Sequence, residues 1–281
     1  MTACTVADCL RRSAELVHSD SARLDTELLL CAAMAKSRTW LFTWPEKNVL
    51  PAQQQLFKQY FARRLTGEPV AYILGEKEFW SLTLQVNAST LIPRPETELL
   101  VELALELPCT KQTLLDLGTG TGAIALALAS ELPASKVIAV DSSHDAVCLA
   151  KGNAARLNIT NIEVRQSDWF SALQPQFFDL ILSNPPYINE ADEHLSVGDV
   201  MFEPGSALVA AENGLSDIRH IISQAQQYLA AGAYLLIEHG WRQADAVQAL
   251  FLQYGYCDIG THKDWGGNDR VTLAAKPINN E

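Results

Sequence analysis

The hydrophobic pattern changes character along the chain, and this change predicts two kinds of structure. From residue 113 onward, short continuous apolar runs alternate with longer segments whose apolar residues recur at helical spacing. Continuous apolar runs are typical of parallel strands that are covered on both faces. The predicted strands are 113–117, 136–140, 162–166, 178–183, 233–238, 256–261 and 270–275, and the predicted helices are 123–132, 143–157, 216–230 and 244–253. The alternation predicts an α/β fold with a doubly wound, mainly parallel sheet.

Residues 1 to about 75 show helical spacing without such runs. Ser21 or Asp25 can cap one helix, and Pro51 is suited to the first position of another. Between these helices stand three aromatic residues, Trp40, Phe42 and Trp44. Aromatic residues at this density are usually buried, so we expect them in a core. The segment is predicted to be a small all-helical domain.

The segment 76–95 separates this domain from the α/β part, which is predicted to span 96–281. Residues 79–86 alternate apolar and polar side chains, which predicts a strand within a β-hairpin. Arg94 then stands between two prolines on a stiff stretch of backbone, and a helix through Leu99 to Leu107 follows. We interpret 76–95 as a linker that carries the hairpin.

Charge is distributed unevenly between the two parts. The net charge is −12; residues 1–75 carry 9 basic and 7 acidic side chains, whereas residues 76–281 carry 12 basic and 26 acidic ones. Because a phosphate backbone is bound mainly through Lys and Arg, this excess of acid counts against nucleic acid as a direct partner. The six cysteines and six histidines show neither disulfide nor metal spacing, so we expect no metal. Without a signal peptide or a long apolar stretch, the chain is predicted to be cytoplasmic and not bound to membranes.

A glycine turn joins the first predicted strand of the α/β part to the next helix: Gly118-Thr119-Gly120-Thr121-Gly122. Its glycines let a ligand approach the backbone, and Asp141, at the end of the next strand, can accept hydrogen bonds from both ribose hydroxyls. The spacing also fits a dinucleotide fingerprint. Asp116 stands just before the turn, however, where it would repel a pyrophosphate and stabilise a cationic sulfonium or amino group. After the third strand, Asp168 and Trp169 are suited to bind and stack on adenine, although Trp169 alone could equally be a core residue.

An acceptor turn ends the fourth predicted strand: Asn184-Pro185-Pro186-Tyr187. The two prolines remove two backbone N–H groups and fix φ. What remains are acceptors, namely the Asn184 side-chain oxygen and the carbonyls of Asn184 and Pro185, beside the aromatic face of Tyr187. Such a turn suits a planar NH2 group that donates two hydrogen bonds. The alternative is an ordinary Pro-Pro turn with a buried tyrosine.

Taken in order, these motifs resemble S-adenosylmethionine-dependent methyltransferases of amino groups. The closest resemblance is to the family that N5-methylates glutamine in peptide chain release factors, and it covers nearly the full length. It is carried further by Ile92-Pro93-Arg94-Pro95-Glu96-Thr97-Glu98, Glu238-His239-Gly240 and Asn268-Asp269-Arg270-Val271. The resemblance implies a Rossmann-like seven-stranded methyltransferase sheet whose last strand is antiparallel, with S-adenosyl-L-methionine as cofactor.

The resemblance also assigns roles to individual residues. It implies catalysis by Asn184, Pro185 and Tyr187. It implies cofactor binding by Asp116, Gly118, Thr119, Gly120, Thr121, Gly122, Asp141, Asp168, Trp169 and Asn184. It implies substrate binding by Asn184, Pro185, Pro186, Tyr187, Arg94 and Glu96. His239 is expected to be structural.

The implied partner is a release factor, held by the helical domain while its Gly-Gly-Gln loop enters the cofactor pocket during a modification relevant to translation termination. Three alternatives stay open. A ribosomal-protein glutamine methyltransferase resembles the chain closely but typically reads Pro-Arg-Ser-Pro in the proline-rich segment. An adenine-N6 DNA methyltransferase uses the same acceptor turn but needs a basic cleft. A non-catalytic binding protein could keep the fold, although intact Asp141, Asn184 and Tyr187 argue against it.

Overall fold

The computed structural model describes residues 4–278, and the apolar runs of the sequence form its strands. In chain order these strands are β1 (Glu76–Phe79), β2 (Leu82–Gln85), β3 (Thr113–Leu117), β4 (Lys136–Asp141), β5 (Ile162–Gln166), β6 (Phe178–Ser183), β7 (Leu229–Glu238), β8 (Cys257–Lys263) and β9 (Asp269–Ala275). β1 pairs with β2, and the other seven form one sheet in the order β5-β4-β3-β6-β7-β9-β8. β3 to β7 pair in parallel, whereas β9 is antiparallel to both of its neighbours. The predicted seven-stranded sheet with an antiparallel last strand is confirmed.

The α-helices lie before the sheet and between its strands. In chain order they are α1 (Val6–Arg11), α2 (Ala22–Met34), α3 (Arg38–Thr43), α4 (Pro51–Leu65), α5 (Val70–Leu74), α6 (Glu98–Glu106), α7 (Ala123–Glu131), α8 (His144–Arg156), α9 (Ala211–Gly214), α10 (Ser216–Ala225) and α11 (Ala244–Gln253). Within residues 4–278, none of them is long and apolar enough to cross a membrane.

Both faces of the sheet are covered, because successive side chains of a strand point to opposite faces. In β3, Leu114 belongs to the core formed with α6, α7 and α8, whereas Leu115 and Leu117 belong to the core formed with α10 and α11. All three side chains are fully buried. Burial on both faces explains why these strands read as continuous apolar runs.

The strand order reverses beside β3, and this reversal positions the site. From β3 the chain runs outward through β4 to β5, and it then returns to place β6 on the other side of β3. Leu117 of β3 lies opposite Val140 of β4 and Ser183 of β6. The glycine turn, Asp141 and the acceptor turn therefore meet at one edge of the sheet, in the crevice that such a reversal leaves open.

The hairpin before the sheet differs from its prediction. The pattern of residues 79–86 predicts one strand, but the chain turns at Trp80 and Ser81, which have positive φ of 50° and 62°. Two acidic side chains stabilise this turn: Glu98 accepts the Trp80 backbone N–H at 2.9 Å, and Glu131 accepts its indole N–H at 2.9 Å. Both contacts are distant in sequence, so a local pattern could not reveal them.

The helix predicted over 216–230 is too long. α10 ends at Ala225, and β7 begins at Leu229. Leu229 is fully buried and lies opposite Phe178 of β6, whose N–H donates to the Tyr228 carbonyl at 2.7 Å. Pairing with β6 therefore draws these residues into the sheet and overrides their helical spacing.

The described residues divide into two compact units. The helical unit contains the residues up to Glu76 together with Glu193–Phe202, and the sheet unit contains Lys77–Asp192 and the residues from Glu203 onward. The core of the helical unit is formed by fully buried side chains that include Leu29, Leu30, Leu41, Phe57 and Phe61. The sequence had assigned residues 193–202 to the methyltransferase domain.

A buried arginine explains why Glu193–Phe202 packs with the helical unit. The Arg64 guanidinium donates to Asp25 at 2.8 Å and to Asp199 at 2.9 Å. It also donates to the carbonyls of Gly67 and Glu68. A buried guanidinium needs such partners, and Asp199 supplies one of them.

The three aromatic residues predicted for a core are not buried. Trp40 is half-buried, while Phe42 and Trp44 keep 48% and 44% of their surface exposed. They belong to or follow α3, a single six-residue helix whose only buried side chain is that of Leu41. So short a helix buries one face alone, and the prediction from aromatic density was wrong here.

Asn153 of α8 holds the backbone of the glycine turn by a hydrogen bond. Its fully buried side chain accepts the Gln85 N–H at 2.7 Å and donates to the carbonyls of Gln85 and Thr121, at 3.0 and 2.9 Å. Asn161, at the opposite edge of the sheet, likewise donates to three carbonyls, those of Ala129, Leu132 and Ser135. The two asparagines thus form a matched pair, and only one of them contacts the turn.

We predict that Asn153→Ala and Asn161→Ala each lower the free energy of unfolding by about 1–3 kcal/mol, because each leaves backbone groups without partners. Only Asn153→Ala should accelerate amide hydrogen exchange in the glycine turn. Urea denaturation and hydrogen exchange measure the two effects. Equal exchange in both variants would contradict the role given to Asn153.

Candidate functional site

A cavity opens in the sheet unit where β3, β4 and β6 end. Of the residues predicted from the sequence, those that line it are Arg94, Gly118, Thr119, Gly120, Thr121, Asp141, Asp168, Trp169, Asn184 and Pro186. Those outside its lining are Glu96, Asp116, Gly122, Pro185 and Tyr187. The sheet therefore brings most of the predicted residues to one place, and several of the others support them from beneath.

The glycine turn is held open by its backbone conformation. Gly118, Gly120 and Gly122 all have positive φ, of 72°, 55° and 85°. The positive φ of Gly122 favours glycine, and a side chain there would also be tightly packed, 3.0 Å from Leu126 and 3.3 Å from Ala150. The turn thus presents bare backbone to the cavity.

Asp141 connects this turn to the helix that follows. One of its carboxylate oxygens accepts the Gly120 N–H and the other accepts the Ser143 N–H, both at 2.9 Å. Ser143 in turn caps α8. The carboxylate is therefore fixed at the rim of the cavity with lone pairs left for a ligand.

Asp116 lies beneath the turn and does not line the cavity. It is fully buried, and its Oδ2 accepts the Thr119 hydroxyl at 2.6 Å, whereas Oδ1 has no hydrogen-bond partner in the described structure. Burial raises the pKa of this carboxyl to about 7, and the hydrogen bonds that it accepts oppose the rise only in part. Its visible effect is to hold Thr119; contact with a cofactor stays a prediction.

Asp168 and Trp169 stand in the loop after β5, two and three residues beyond the strand end. Trp169 has a positive φ of 46°, unusual for so large a residue, and the Ser167 hydroxyl donates to its carbonyl at 2.7 Å. Its ring lies 3.5 Å from the position that a side chain on Gly118 would occupy. The half-buried indole thus forms a wall of the cavity rather than part of a closed core.

The acceptor turn has a defined polarity. The Asn184 Nδ2 donates to the Thr97 hydroxyl at 3.2 Å. The Asn184 Oδ1, in contrast, has no hydrogen-bond partner among the described residues. Because Asn184 lines the cavity, this oxygen is available to a donor there.

Tyr187, at the other end of the turn, points to a buried carboxyl. Its hydroxyl donates to Glu238 Oε1 at 3.3 Å, and Glu238 is almost completely buried at the end of β7. Burial raises the pKa of Glu238 to about 7, opposed by the nearby Thr97 hydroxyl, by the charge of Arg270 and by the hydrogen bond from Tyr187. Burial also raises the pKa of Tyr187, so its hydroxyl keeps its proton and serves as a donor.

The main chain of the acceptor turn is held from the opposite side. Gln243 donates to the carbonyls of Tyr187 and Asn213, at 3.0 and 3.1 Å. Gly214 has a φ of 84°, and a side chain on it would come within 2.0 Å of the Tyr187 carbonyl oxygen. Glycine is therefore required at this position. Sequence reasoning missed Gln243 and Gly214, and the Asn213-Gly214 pair was the only local signal of a special turn.

Arg94 and Glu96, both predicted to bind substrate, have different surroundings. Arg94 lines the cavity and donates to the buried Glu203 carboxylate at 2.7 Å, while the other oxygen of Glu203 accepts the Ile92 N–H at 3.1 Å. Glu96 is exposed and does not line the cavity. Arg94 thus orders the proline-rich segment, whereas Glu96 acts on the site through its charge, which contributes to the raised pKa of Glu238.

His239, just after the end of β7, is structural. His239 is buried beside Glu238, with its Nδ1 3.0 Å from the Gly240 carbonyl and its Nε2 2.8 Å from the Thr272 hydroxyl. Both ring nitrogens thus have partners within the fold. Among the described side chains of residues 4–278, which do not include that of residue 194, no three His, Cys, Asp or Glu are grouped so that they could hold a metal ion.

Proteins of known function match nearly the whole chain. The release factor glutamine methyltransferase of Shewanella oneidensis is 54% identical over 91% of this chain and 90% of its own length. That of Pseudomonas aeruginosa is 55% identical over 97% of this chain and 98% of its own length. The chain belongs to the release factor glutamine methyltransferase family. The family resemblance read from the motifs is confirmed.

Members of the release factor glutamine methyltransferase family share both parts of this chain. The family model of the PrmC N-terminal domain matches residues 10–75, and that of the Methyltransferase small domain matches residues 95–227. Among solved structures, a methyltransferase from Pyrococcus furiosus covers 79% of this chain and 100% of its own, with a TM-score of 0.56 at 17% identity. This last similarity concerns the fold alone.

The buried Asp116 leads to a prediction on pH dependence. Because its pKa is raised in the folded protein, its contribution to stability is greatest below the ordinary pKa and is lost as pH rises towards about 7. Asp116→Asn, which cannot ionise, should reduce the loss of unfolding free energy between about pH 5 and 8 by on the order of 1–3 kcal/mol. Denaturation of both proteins at the two pH values measures this. An equal loss in both would show that Asp116 does not titrate as described.

Proposed function

We propose that this chain transfers a methyl group from S-adenosylmethionine to the side-chain amide nitrogen of the glutamine in the Gly-Gly-Gln motif of peptide chain release factors. The observation that carries the proposal is the polarity of the acceptor turn. Asn184 is bonded through its NH2 group, which leaves its oxygen for a donor in the cavity. A primary amide is such a donor, and it needs two acceptors for its two hydrogens.

The residues of the cavity fit S-adenosylmethionine better than a dinucleotide. Arg94 is the only basic side chain in the described lining, and Glu203 neutralises it, so a pyrophosphate would find no free positive charge. Asp141 suits the ribose hydroxyls, and Trp169 with Asp168 suits adenine. When bound, the cofactor supplies an electrophilic methyl group on a positively charged sulfur.

The chemical difficulty lies in the glutamine. Its amide nitrogen is a poor nucleophile, because the lone pair is delocalised into the carbonyl. We assign one amide N–H to the Asn184 side-chain oxygen in the cavity. We assign the other to the carbonyl of Pro185, the next residue of the turn, which lies outside the described lining of the cavity. Both acceptors would orient the nitrogen and stabilise the positive charge that develops on it during transfer.

Proton balance requires the nitrogen to lose one proton as it gains the methyl group. Neither histidine nor lysine is present in the described lining of the cavity, so we assign proton removal to water after transfer. Pro186, which lines the cavity, would then pack against the amide and limit the access of water before transfer, while Tyr187 holds the turn through its bond to Glu238. Positioning and electrostatic stabilisation thus replace a strong base.

The helical unit is the proposed docking site for the release factor. It is the less acidic part of the chain and exposes Phe42 and Trp44, with Arg23 and Lys47 beside their rings. Exposed aromatic residues next to cations are typical of protein interfaces.

Combined Phe42→Ala and Trp44→Ala substitutions should raise the KM for the release factor, while cofactor affinity stays constant. An unchanged KM would show that the release factor docks elsewhere.

Substrate preference distinguishes this proposal from the two alternative methyltransferase activities. We expect labelled methyl transfer to an unmodified release factor, and far less to a ribosomal-protein glutamine or to adenine in duplex DNA. The net charge of −14 over residues 76–281 disfavours DNA in particular. A preference for either rival substrate would overturn the proposal. Because release factors act on ribosomes, the proposed activity is cytoplasmic.

Asp141→Ala should weaken S-adenosylmethionine binding by about 1–3 kcal/mol, because the bonds from the ribose to a charged acceptor are lost. Asp145→Ala is the matched control, since Asp145 is exposed in the first turn of α8 and does not line the cavity. Titration calorimetry compares the two. Equal affinities would remove Asp141 from the cofactor site.

Asn184→Ala should lower the rate of methyl transfer by about 10²–10³, the scale for the loss of one preorganised polar group. Cofactor affinity should change little. Asn184→Asp keeps an acceptor and should retain more activity than the alanine variant. Single-turnover kinetics with saturating cofactor measure the rates, and near wild-type transfer by Asn184→Ala would exclude the mechanism.

A further inference from the structure

The polarity of the acceptor turn needs a cause, because the two ends of an asparagine amide have nearly the same shape. Asn184 could present either its oxygen or its NH2 group to the cavity. An NH2 group there would face the NH2 group of the substrate, and two donors cannot bond to each other. Something in the fold must therefore select one orientation.

The selecting contact is the one between Asn184 and Thr97. Thr97 is buried at the end of the proline-rich segment, and its hydroxyl oxygen accepts from Asn184 Nδ2 at 3.2 Å. A hydroxyl can also donate, and if it donated to Asn184 the amide would be bound in the opposite orientation. The direction of the Thr97 hydrogen thus decides the orientation of Asn184.

A second group determines where that hydrogen points. The Glu238 carboxyl lies near the Thr97 hydroxyl, whose influence lowers the pKa of the carboxyl against the effect of burial. Its Oε2 is buried and accepts no hydrogen bond in the described structure, so it is open to a donor. Its Oε1 is taken by the Tyr187 hydroxyl at 3.3 Å. An ionised carboxylate only accepts, and it therefore draws the hydrogen of Thr97 away from Asn184.

We propose that Thr97 and Glu238 are positioning residues that set the polarity of the acceptor turn. Glu238 accepts from Thr97 and Tyr187, Thr97 accepts from Asn184, and Asn184 is left with its oxygen towards the substrate. One buried carboxyl thus holds both ends of the turn, Asn184 through Thr97 and Tyr187 directly. The inference rests on the proposed function for its consequence in catalysis, but the hydrogen-bond chain itself does not.

This arrangement explains an otherwise costly feature of the fold. Glu238 is nearly inaccessible to water, and burying a carboxyl without full pairing destabilises a protein. An amide at this position would remove that cost. It would also be able to donate to Thr97, and the direction of the chain would then no longer be defined.

The central test compares Thr97→Val, which keeps the shape and removes the hydroxyl, with Thr97→Ser, which keeps the hydroxyl. Rates of single-turnover methyl transfer to a release factor are measured at about pH 8.5, above the pKa of about 7 of Glu238. Thr97→Val should be about 10–100-fold slower at saturating cofactor, the scale for losing a partner that orients a binding group. Thr97→Ser should stay close to the wild-type rate because it keeps the hydroxyl, and cofactor affinity should be unchanged in both.

Thr26→Val is the control for the loss of a buried threonine hydroxyl. Thr26 is fully buried in α2, and its hydroxyl donates to the Ala22 carbonyl at 2.8 Å, within the helical unit. Thr26→Val should lose about as much stability as Thr97→Val, but its rate of methyl transfer should stay that of wild type.

Glu238→Gln tests the other end of the hydrogen-bond chain and should slow methyl transfer by about tenfold or more. Wild-type rates in Thr97→Val or in Glu238→Gln would overturn the proposal.

A second readout needs no substrate. With nitrogen-15 in the asparagine side chains, the NH2 signals of Asn184 are assigned by their loss in Asn184→Ala. They should shift and exchange faster with water in Thr97→Val, and they should keep their positions in Thr97→Ser and in Thr26→Val. Unchanged Asn184 signals in Thr97→Val would overturn the proposal. If wild-type protein transfers no methyl group to a release factor, the proposed function fails, and this experiment still decides the hydrogen-bond chain.

Discussion

Parallel pairing of β3, β4 and β6 is the constraint on which the site depends. Each strand alone carries one part of the chemistry at its end or just beyond it: the glycine turn, Asp141 and the acceptor turn. The register that places Leu117 opposite Val140 and Ser183 brings these parts to a common edge. Because a slip of one residue would turn every buried side chain to the wrong face, the apolar cores on both faces fix the geometry of the cavity.

The same edge contains the costly features of the fold. Asp116 and Glu238 are buried carboxyls with raised pKa values, and Trp169 has a positive φ. Asp116 holds Thr119, and Glu238 accepts a hydrogen bond from the acceptor turn. Trp169 itself forms a wall of the cavity. Such costs are tolerated where the surrounding structure determines the conformation completely, and they are commonly found at functional sites.

The sequence was sufficient for the sheet and for the residues at its strand ends, because continuous apolar runs and Gly, Asp and Pro turns are local signals. It was insufficient wherever a distant contact decides the outcome. Glu98 and Glu131 stabilise the turn at Trp80, and a single short helix leaves Phe42 exposed. Thr97 and Glu238 stood within segments that carried the family resemblance, yet their link to Asn184 and Tyr187 exists only in three dimensions.

The account rests on the claim that the acceptor turn directs a methyl group to one nitrogen. The most direct test is tandem mass spectrometry of a release factor after incubation with this protein and S-adenosylmethionine. We predict one added methyl group, located by fragmentation on the side-chain nitrogen of the glutamine in the Gly-Gly-Gln motif. A methyl group on another residue, or on the backbone nitrogen, would contradict the account.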